Sequence, residues 1–168
     1  MIFVTVGTHE QPFNRLLEYV DQLKKENIIT DPVVVQSGFS TYTPQCCEWK
    51  RLYPYQEMIM LVEKADIIIT HGGPSSFLMP LQIGKIPIVV PRQYEYREHV
   101  NNHQVLFSKT VAERLGNIIV IENIKDLKNV LLDYENITAN MPSKTRSNNA
   151  RFNQEFENLV NELFYMEP

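Results

Sequence analysis

The sequence predicts an α/β fold in which a parallel sheet carries helices on both faces. Two observations predict it. Short, almost wholly apolar runs alternate along the chain with segments of helical period, and a glycine- or proline-rich turn follows most of these runs. Strands that are apolar on both sides are typical of a buried parallel sheet. A chain of 168 residues, 43% hydrophobic and 21% charged, has the size and composition of one domain.

Five strands follow from apolar runs that stop at turn residues. Gly7 ends the first run and Ser37-Gly38 ends the second, whereas residues 39–54 have no clear period and are assigned no element. The predicted strands are, in order, Ile2–Val6, Val33–Val35, Asp66–Thr70, Ile86–Val90 and Ile118–Ile121.

Five helices follow from apolar residues that recur three or four positions apart. Proline at position 12 suits a first helical turn, and Gly84 and Gly116 are typical residues for ending the third and fourth helices. The predicted helices are, in order, one that begins at Pro12, Tyr55–Lys64, Ser75–Ile83, Glu95–Leu115 and Ile124–Leu132.

The chain divides into a Rossmann-like domain over 1–135, a polar, turn-rich loop over 136–148 and an amphipathic helix over 149–168. We expect the apolar face of that helix to pack on the domain's own sheet. The alternative is a docking surface for another protein chain or for a membrane. Glutamates on the polar face would be repelled by anionic lipid, so a protein partner is the better alternative. The apolar face consists of Phe152, Phe156, Leu159, Val160 and Leu163.

Polar turns follow four of the predicted strands and should meet at one edge of the sheet, where parallel α/β proteins bind ligands. The strongest candidate for an anion site is the turn after the third strand. Its two glycines permit positive φ and leave no Cβ in the way of a ligand, and its two serines offer hydroxyl and N–H groups to phosphate. A plain strand-to-helix turn with a serine cap is the competing interpretation. This turn consists of His71, Gly72, Gly73, Pro74, Ser75 and Ser76.

The turn Gly7-Thr8-His9 repeats this arrangement before the first helix. His9 can contact phosphate or act as a base, although a loop histidine is more often an ordinary surface residue. A third polar segment, residues 92–104, follows the fourth strand, and we favour a ligand site there over a solvated helix start. On a helix, its residues 98 and 102, and 99 and 103, would share faces. The candidate ligand contacts in this segment are Arg92, Glu98, His99, Asn102, His103 and Gln104.

Several classes of function lose support from the sequence. A net charge of −4 argues against nucleic acid as a partner, and no apolar run is long enough to span a membrane. The chain has no GxxxxGK[ST] loop, no GxGxxG and no Asp-x-Asp, and the histidine pair at 99 and 103 lacks an evident third ligand, so we expect no metal. The start of the chain resembles a strand more than a secretion signal, and adjacent Cys46 and Cys47 are expected to be free thiols in a cytoplasmic protein.

Taken together, the motifs resemble the C-terminal, donor-binding domain of glycosyltransferase family 28. The resemblance covers nearly the whole chain, with the motifs in the same order and spacing. Within the family it is most similar to the separate halves of split enzymes: the soluble half of a dolichol-pathway UDP-GlcNAc transferase and, closer still, bacterial capsule and exopolysaccharide subunits that add β-1,4-linked galactose to lipid-linked glucose. The segments that carry the resemblance are Phe3–Thr8, Ala65-Asp66, His71–Pro74, Gly84–Arg92 and Glu98–Gln104.

The resemblance implies one half of a GT-B glycosyltransferase, in which two Rossmann-like domains face each other across a cleft. It implies an inverting, metal-independent transfer from a UDP-sugar to a lipid-linked saccharide. It also implies a membrane-anchored partner subunit that binds the acceptor and brings this cytoplasmic chain to the inner face of the cell membrane. Which half carries the catalytic base, which sugar is transferred and whether the chain also forms a homo-oligomer stay open.

The resemblance assigns the glycine turns at residues 7–9 and 72–76 to the donor's pyrophosphate, and residues 98, 99, 102 and 104 to the donor sugar. Met79 departs from the family, which often has at this position a glutamate that holds the ribose hydroxyls. A thioether cannot accept those hydrogen bonds, so we expect backbone groups to hold the ribose. A non-catalytic nucleotide-sugar-binding or enhancer subunit is the alternative function. A UDP-sugar epimerase is disfavoured because it would need both domains in one chain.

Overall fold

The computed structural model describes residues 1–143 and 149–165. Six parallel strands form one sheet in the order β3-β2-β1-β4-β5-β6. This is the strand order of doubly wound nucleotide-binding proteins, and the α/β prediction is confirmed. The strands are β1 (Ile2–Thr5), β2 (Val33–Gln36), β3 (Glu48–Lys50), β4 (Ile67–His71), β5 (Ile88–Val90) and β6 (Ile119–Val120).

Alternate residues of the central strands build the two faces of the core. Val4 and Ile69 pack with Leu17 and other apolar residues of the first helix on one face, whereas Phe3 and Ile68 pack with the second helix on the other. Because both faces are covered, β1 and β2 are buried at every position. This is why the sequence shows continuous apolar runs instead of an alternating pattern.

Helices lie on both faces of this sheet. The second helix has the bounds predicted from the sequence, and the first and third begin within two residues of theirs. The helices are α1 (Asn14–Lys25), α2 (Tyr55–Lys64), α3 (Pro74–Gln82), α4 (His103–Leu115), α5 (Asp126–Leu132), α6 (Tyr134–Thr138) and α7 (Asn149–Tyr165).

The prediction of one helix over residues 95–115 is wrong in its first part. A 3-10 turn at Tyr94–Tyr96 is followed by Arg97 with φ 58°, and α4 begins only at His103. A left-handed residue cannot continue an α-helix, so residues 97–102 form a loop. The structure also contains one strand that was not predicted, β3, on the edge of the sheet beside β2.

The C-terminal part differs from expectation in two ways. A short helix, α6, occupies the start of the segment predicted as a polar loop, of which residues 144–148 lie outside the described residues. The apolar face of α7 does not pack on the sheet, because Phe152, Phe156 and Leu159 are 61%, 58% and 53% exposed. The expectation that this helix packs on its own domain is therefore wrong at these positions. Leu163 of the predicted face is among the side chains that are not described.

Candidate functional site

A cavity of about 400 Å³ opens at the carboxyl ends of β1 and β4. These two strands are neighbours in the sheet, and the chain continues from them toward opposite edges, which makes this the point where doubly wound sheets bind ligands. The turns after both strands therefore meet, as the sequence predicted. The lining residues are Thr5, Gly7, Thr8, His9, Gln36, Met58, Val62, Ile68, His71, Ser75, Ser76, Met79 and Gln104.

Gly7 begins the turn after β1, with φ 74°. A Cβ on this residue would lie 2.4 Å from Nε2 of His71, which is far closer than any real contact. The conformation and the close approach both require glycine. Gly7 thereby allows the two turns of the site to pack against each other.

The turn His71–Ser76 starts α3. The Gly73 N–H donates to Nδ1 of His71 over 3.0 Å, and the Ser76 hydroxyl donates to the carbonyls of His71 and Gly73. Neither Gly72 nor Gly73 has positive φ, so that reason for glycine is wrong. A Cβ would instead meet Gln104 at Gly72 and the His71 ring at Gly73, so close packing within the protein requires both glycines. Ser75 is exposed and lines the cavity at the N-terminus of α3, where anions bind favourably.

Two buried side chains tie the turns together. Arg92 is fully buried and donates to the carbonyls of Val6, Gln11 and Glu98, which joins the loop after β1 to the loop after β5. Oε1 of Gln104 accepts hydrogen bonds from the N–H groups of Gly72 and Arg92. With both terminal guanidinium nitrogens donating to backbone carbonyls, Arg92 supports the site from behind, and it lies outside the cavity lining. This geometry does not support a direct contact between Arg92 and the ligand.

All four histidines of the chain lie at this edge of the sheet. The ring of His99 is 4.7 Å from that of His9 and 4.4 Å from that of His103, measured between centroids. Burial lowers the pKa of His71 to about 4, and burial beside charged Arg92 also lowers the pKa of His9 and of His99. These three imidazoles are therefore neutral at pH 7.

A family model described as the glycosyltransferase family 28 C-terminal domain matches residues 1–163. The chain belongs to this family. The match spans nearly the whole chain, and it includes every turn that lines the cavity.

One curated relative of this family 28 domain is the human UDP-N-acetylglucosamine transferase subunit ALG13, which is 32% identical over 117 residues. The match covers 64% of this chain but only 10% of the relative, so the chain spans about a tenth of that protein's length.

One solved glycosyltransferase structure shares the fold of the family 28 domain, and a second has a weaker likeness. The glycosyltransferase of kitacinnamycin superposes on 79% of this chain, and 34% of its own, with a TM-score of 0.57 and 19% identity. The glycosyltransferase SnogD from Streptomyces nogalater covers 84% of this chain and 39% of its own, with a TM-score of 0.49 and 20% identity. The first of these likenesses supports the GT-B type of Rossmann-like fold for this domain.

Glu98 of the family 28 domain has a different role from the one the resemblance implied. Its Oε1 accepts from Nε of Arg15 over 2.9 Å, and its Oε2 accepts from the second guanidinium nitrogen of Arg15 over 2.8 Å and from the Gln93 N–H over 3.0 Å. The carboxylate is 3% exposed. Both oxygens are thus committed within the protein, and this geometry does not support a direct contact between Glu98 and the donor sugar.

Asn102 is also occupied by its own loop. Its Oδ1 accepts from the N–H of Tyr94, and its Nδ2 donates to the carboxylate of Glu95. It lies outside the cavity lining and holds the loop before α4 in shape. A direct contact between Asn102 and the donor sugar is therefore not supported by this geometry.

Met79 lines the cavity and packs against the cluster that contains Val62 and Ile68. With Met58 it gives the cavity an apolar wall opposite the two turns. Sequence reasoning missed Met58 and Gln36, which line the cavity, and Arg15, which holds Glu98. Arg15 is the second residue of α1, which by itself indicates no role for it; its role follows only from the contact with Glu98, 83 residues away in the chain.

Two further findings concern residues 1–143 and 149–165. In this described part, no group of three or more His, Cys, Asp and Glu side chains is arranged to hold a metal ion. None of the helices described there is long and apolar enough to cross a membrane. Metal independence stays a prediction that needs a binding experiment.

Proposed function

We propose that this chain is the donor-binding, catalytic subunit of an inverting, metal-independent UDP-sugar glycosyltransferase. Its proposed reaction transfers galactose from UDP-galactose to a lipid-linked glucose with a β-1,4 linkage, in the synthesis of a capsule or exopolysaccharide. The observation that carries the donor-binding role is the cavity between β1 and β4, where two glycine turns and the start of α3 face one space.

The polar side of this cavity suits a diphosphate. Its lining contains hydroxyl, amide and imidazole groups together with glycine backbone, and the N-terminus of α3 adds a positive partial charge. Neutral donors that are fixed before the ligand arrives stabilise the charge that develops on a departing UDP. The side chains of Ser75 and Thr8 and the backbone N–H of Ser75 at the start of α3 are the groups we propose for this contact.

The apolar side suits the nucleoside. Met58, Val62, Ile68 and Met79 form a wall against which a flat base can pack. Because Met79 offers no strong acceptor to the ribose hydroxyls, we propose that backbone carbonyls at the carboxyl ends of β1 and β4 accept from them.

The acceptor side of the reaction requires a partner. A cleft enzyme needs two walls, and this chain supplies one Rossmann-like domain. We propose a membrane-anchored subunit that binds the lipid-linked acceptor, with the exposed apolar face of α7 as the surface that docks on it. ALG13, the human relative, carries the word subunit in its name, in agreement with an assembled enzyme.

Calorimetric titration of the purified chain tests the donor role. UDP, UDP-galactose, UDP-glucose and UDP-GlcNAc are titrated in the presence of EDTA, and we expect binding of UDP with UDP-galactose ranked first among the sugars. Thr8→Trp should abolish binding by filling the cavity, whereas Thr43→Trp, in a separate loop outside the cavity lining, should not. A chain that binds none of the four compounds would contradict the proposed function.

A further inference from the structure

The hydrogen bonds of the histidines show which ring nitrogen of each carries the proton. Nδ1 of His9 lies 3.1 Å from the N–H of Gln11, and Nδ1 of His99 lies 2.9 Å from the N–H of Val100. A backbone N–H only donates, so each of these Nδ1 atoms must be an acceptor. In the neutral ring the proton is then on Nε2. His9 and His99 therefore present N–H donors and have no free lone pair at Nε2.

His103 has the opposite arrangement. The Oδ1 atom of Asn101 accepts from the backbone N–H of His103 over 3.1 Å, which identifies that atom as the oxygen of the amide. The same oxygen lies 2.5 Å from Nδ1 of His103. An oxygen can only accept, so Nδ1 carries the proton and Nε2 has the lone pair. Of these three neighbouring rings, His103 is the one that can take a proton at Nε2.

The three rings also differ in their surroundings and in their exposure to solvent. His9 lines the cavity, His99 is buried between the other two rings, and His103 is exposed at the first position of α4. The donor histidine thus lines the space proposed for the diphosphate, and the acceptor histidine is the solvent-exposed member of the group. His9 does not fit the role of a general base, because its Nε2 already carries a proton and its Nδ1 accepts from the Gln11 N–H.

We propose that His103 is the general base of the transfer and that His9 is a neutral hydrogen-bond donor to the leaving diphosphate. This proposal rests on the proposed function. The acceptor's O–H bond breaks and its proton moves to Nε2 of His103, while the oxygen's electron pair forms the new bond to the anomeric carbon. The bond from that carbon to the phosphate oxygen breaks, and its electron pair leaves with UDP, whose oxygen accepts from Nε2–H of His9. The exposed imidazolium of His103 then returns its proton to solvent.

Substitution by glutamine separates the two roles. A glutamine amide can donate or accept a hydrogen bond at a position similar to Nε2, but it cannot take up a proton. His9→Gln should keep UDP affinity within about threefold, whereas His9→Ala should weaken it about tenfold. His103→Gln should keep UDP affinity and lose about 10²–10⁴ in the rate of UDP release from UDP-galactose, measured with source membranes that supply partner and acceptor.

Imidazole ¹⁵N shifts of the full chain at pH 7.5 test the assignment without any substrate, with the two glutamine variants identifying the signals of His9 and His103. We expect the proton on Nε2 in His9 and on Nδ1 in His103. The opposite tautomer at His103 would overturn the proposal, as would undiminished turnover of His103→Gln in a protein that binds UDP. A wild-type chain that binds no UDP would instead overturn the proposed function, and this role with it. An unchanged denaturation midpoint in His103→Gln excludes loss of fold as the cause of lost turnover.

Discussion

Gly7 and Gly84 have nearly the same backbone conformation, with φ of 74° and 78°, but differ in what surrounds them. A Cβ at Gly84 meets its nearest atom at 3.6 Å, so Gly84→Ala should cost only the left-handed strain of about 1–2 kcal/mol. At Gly7 the Cβ would lie 2.4 Å from the His71 ring, which would have to break its hydrogen bond with the Gly73 N–H to move away. We expect Gly7→Ala to lower the free energy of unfolding by about 2 kcal/mol more than Gly84→Ala does, because the new Cβ displaces the His71 ring. We also expect Gly7→Ala to abolish UDP binding. Urea denaturation and calorimetry of both variants check this, and equal losses at the two positions would contradict it.

Two ion pairs of similar length differ in burial. Arg15 and Glu98 are 2.8 Å apart with side chains 12% and 3% exposed, whereas Lys50 and Glu57 are 2.9 Å apart but 53% and 40% exposed. Glu98→Gln leaves a buried guanidinium without its counter-charge, and we expect a loss of about 3–5 kcal/mol in the free energy of unfolding. Lys50→Met should cost at most about 1 kcal/mol.

The same pair tests the revised role of Glu98. If Glu98 acts within the fold, Glu98→Asp should lose stability but keep the ranking of UDP-sugars, measured by calorimetry on the folded fraction. A changed ranking between UDP-galactose and UDP-glucose at unchanged stability would show that the carboxylate contacts the sugar after all.

At the scale of elements, the sequence predicted well where local signals and burial agree. The helical period of apolar residues identified α2, and continuous apolar runs identified the central strands, which helices cover on both faces. β3 gave no such signal, because its three residues are all exposed and pair along one edge only. The start of α4 was misplaced because the left-handed Arg97 ends the preceding 3-10 turn, and Glu98, the next residue, is held by Arg15 from 83 positions away. Contacts of this range leave no local pattern in a sequence.

The spacing of apolar residues correctly predicted the helix α7, but it did not show whether the apolar face of this helix packs on the domain. Since Phe152 and Phe156 are more than half exposed, Phe152→Ser/Phe156→Ser should change the free energy of unfolding by less than about 0.5 kcal/mol. The same variant should lose co-purification with the proposed membrane-anchored partner, and Glu157→Gln, on the same exposed helix, should retain it. A clear drop in stability would mean that the apolar face packs on the domain in solution.

For the whole molecule, the place of the site was predictable and the roles within it were not. Parallel strands put the turns at residues 7–9, 71–76 and 91–93 on one edge, whatever their side chains do. Whether a polar side chain faces the ligand or the protein depends on its hydrogen-bond partners. Arg92 donates to backbone carbonyls, and Glu98 accepts from Arg15, so both side chains face the protein. Residue type alone cannot separate these cases, because a guanidinium can donate its hydrogen bonds to backbone carbonyls as well as to a phosphate.

The pH dependence of folding follows from the buried histidines of the site. Burial lowers the pKa of His71 from 6.5 in the unfolded chain to about 4, so between these values the unfolded state binds a proton that the folded state does not. The stability is therefore complete above pH 6.5 and is lost as the pH falls toward 4, by about 3 kcal/mol for His71 alone. The lowered pKa values of His9 and His99 act in the same direction. Urea denaturation at pH 7.5 and 4.5 should show this loss, and His71→Gln should reduce it.

In an NMR titration the His71 ring should protonate near pH 4, and a midpoint near 6.5 would mean that water reaches this ring and that the two turns do not close over it.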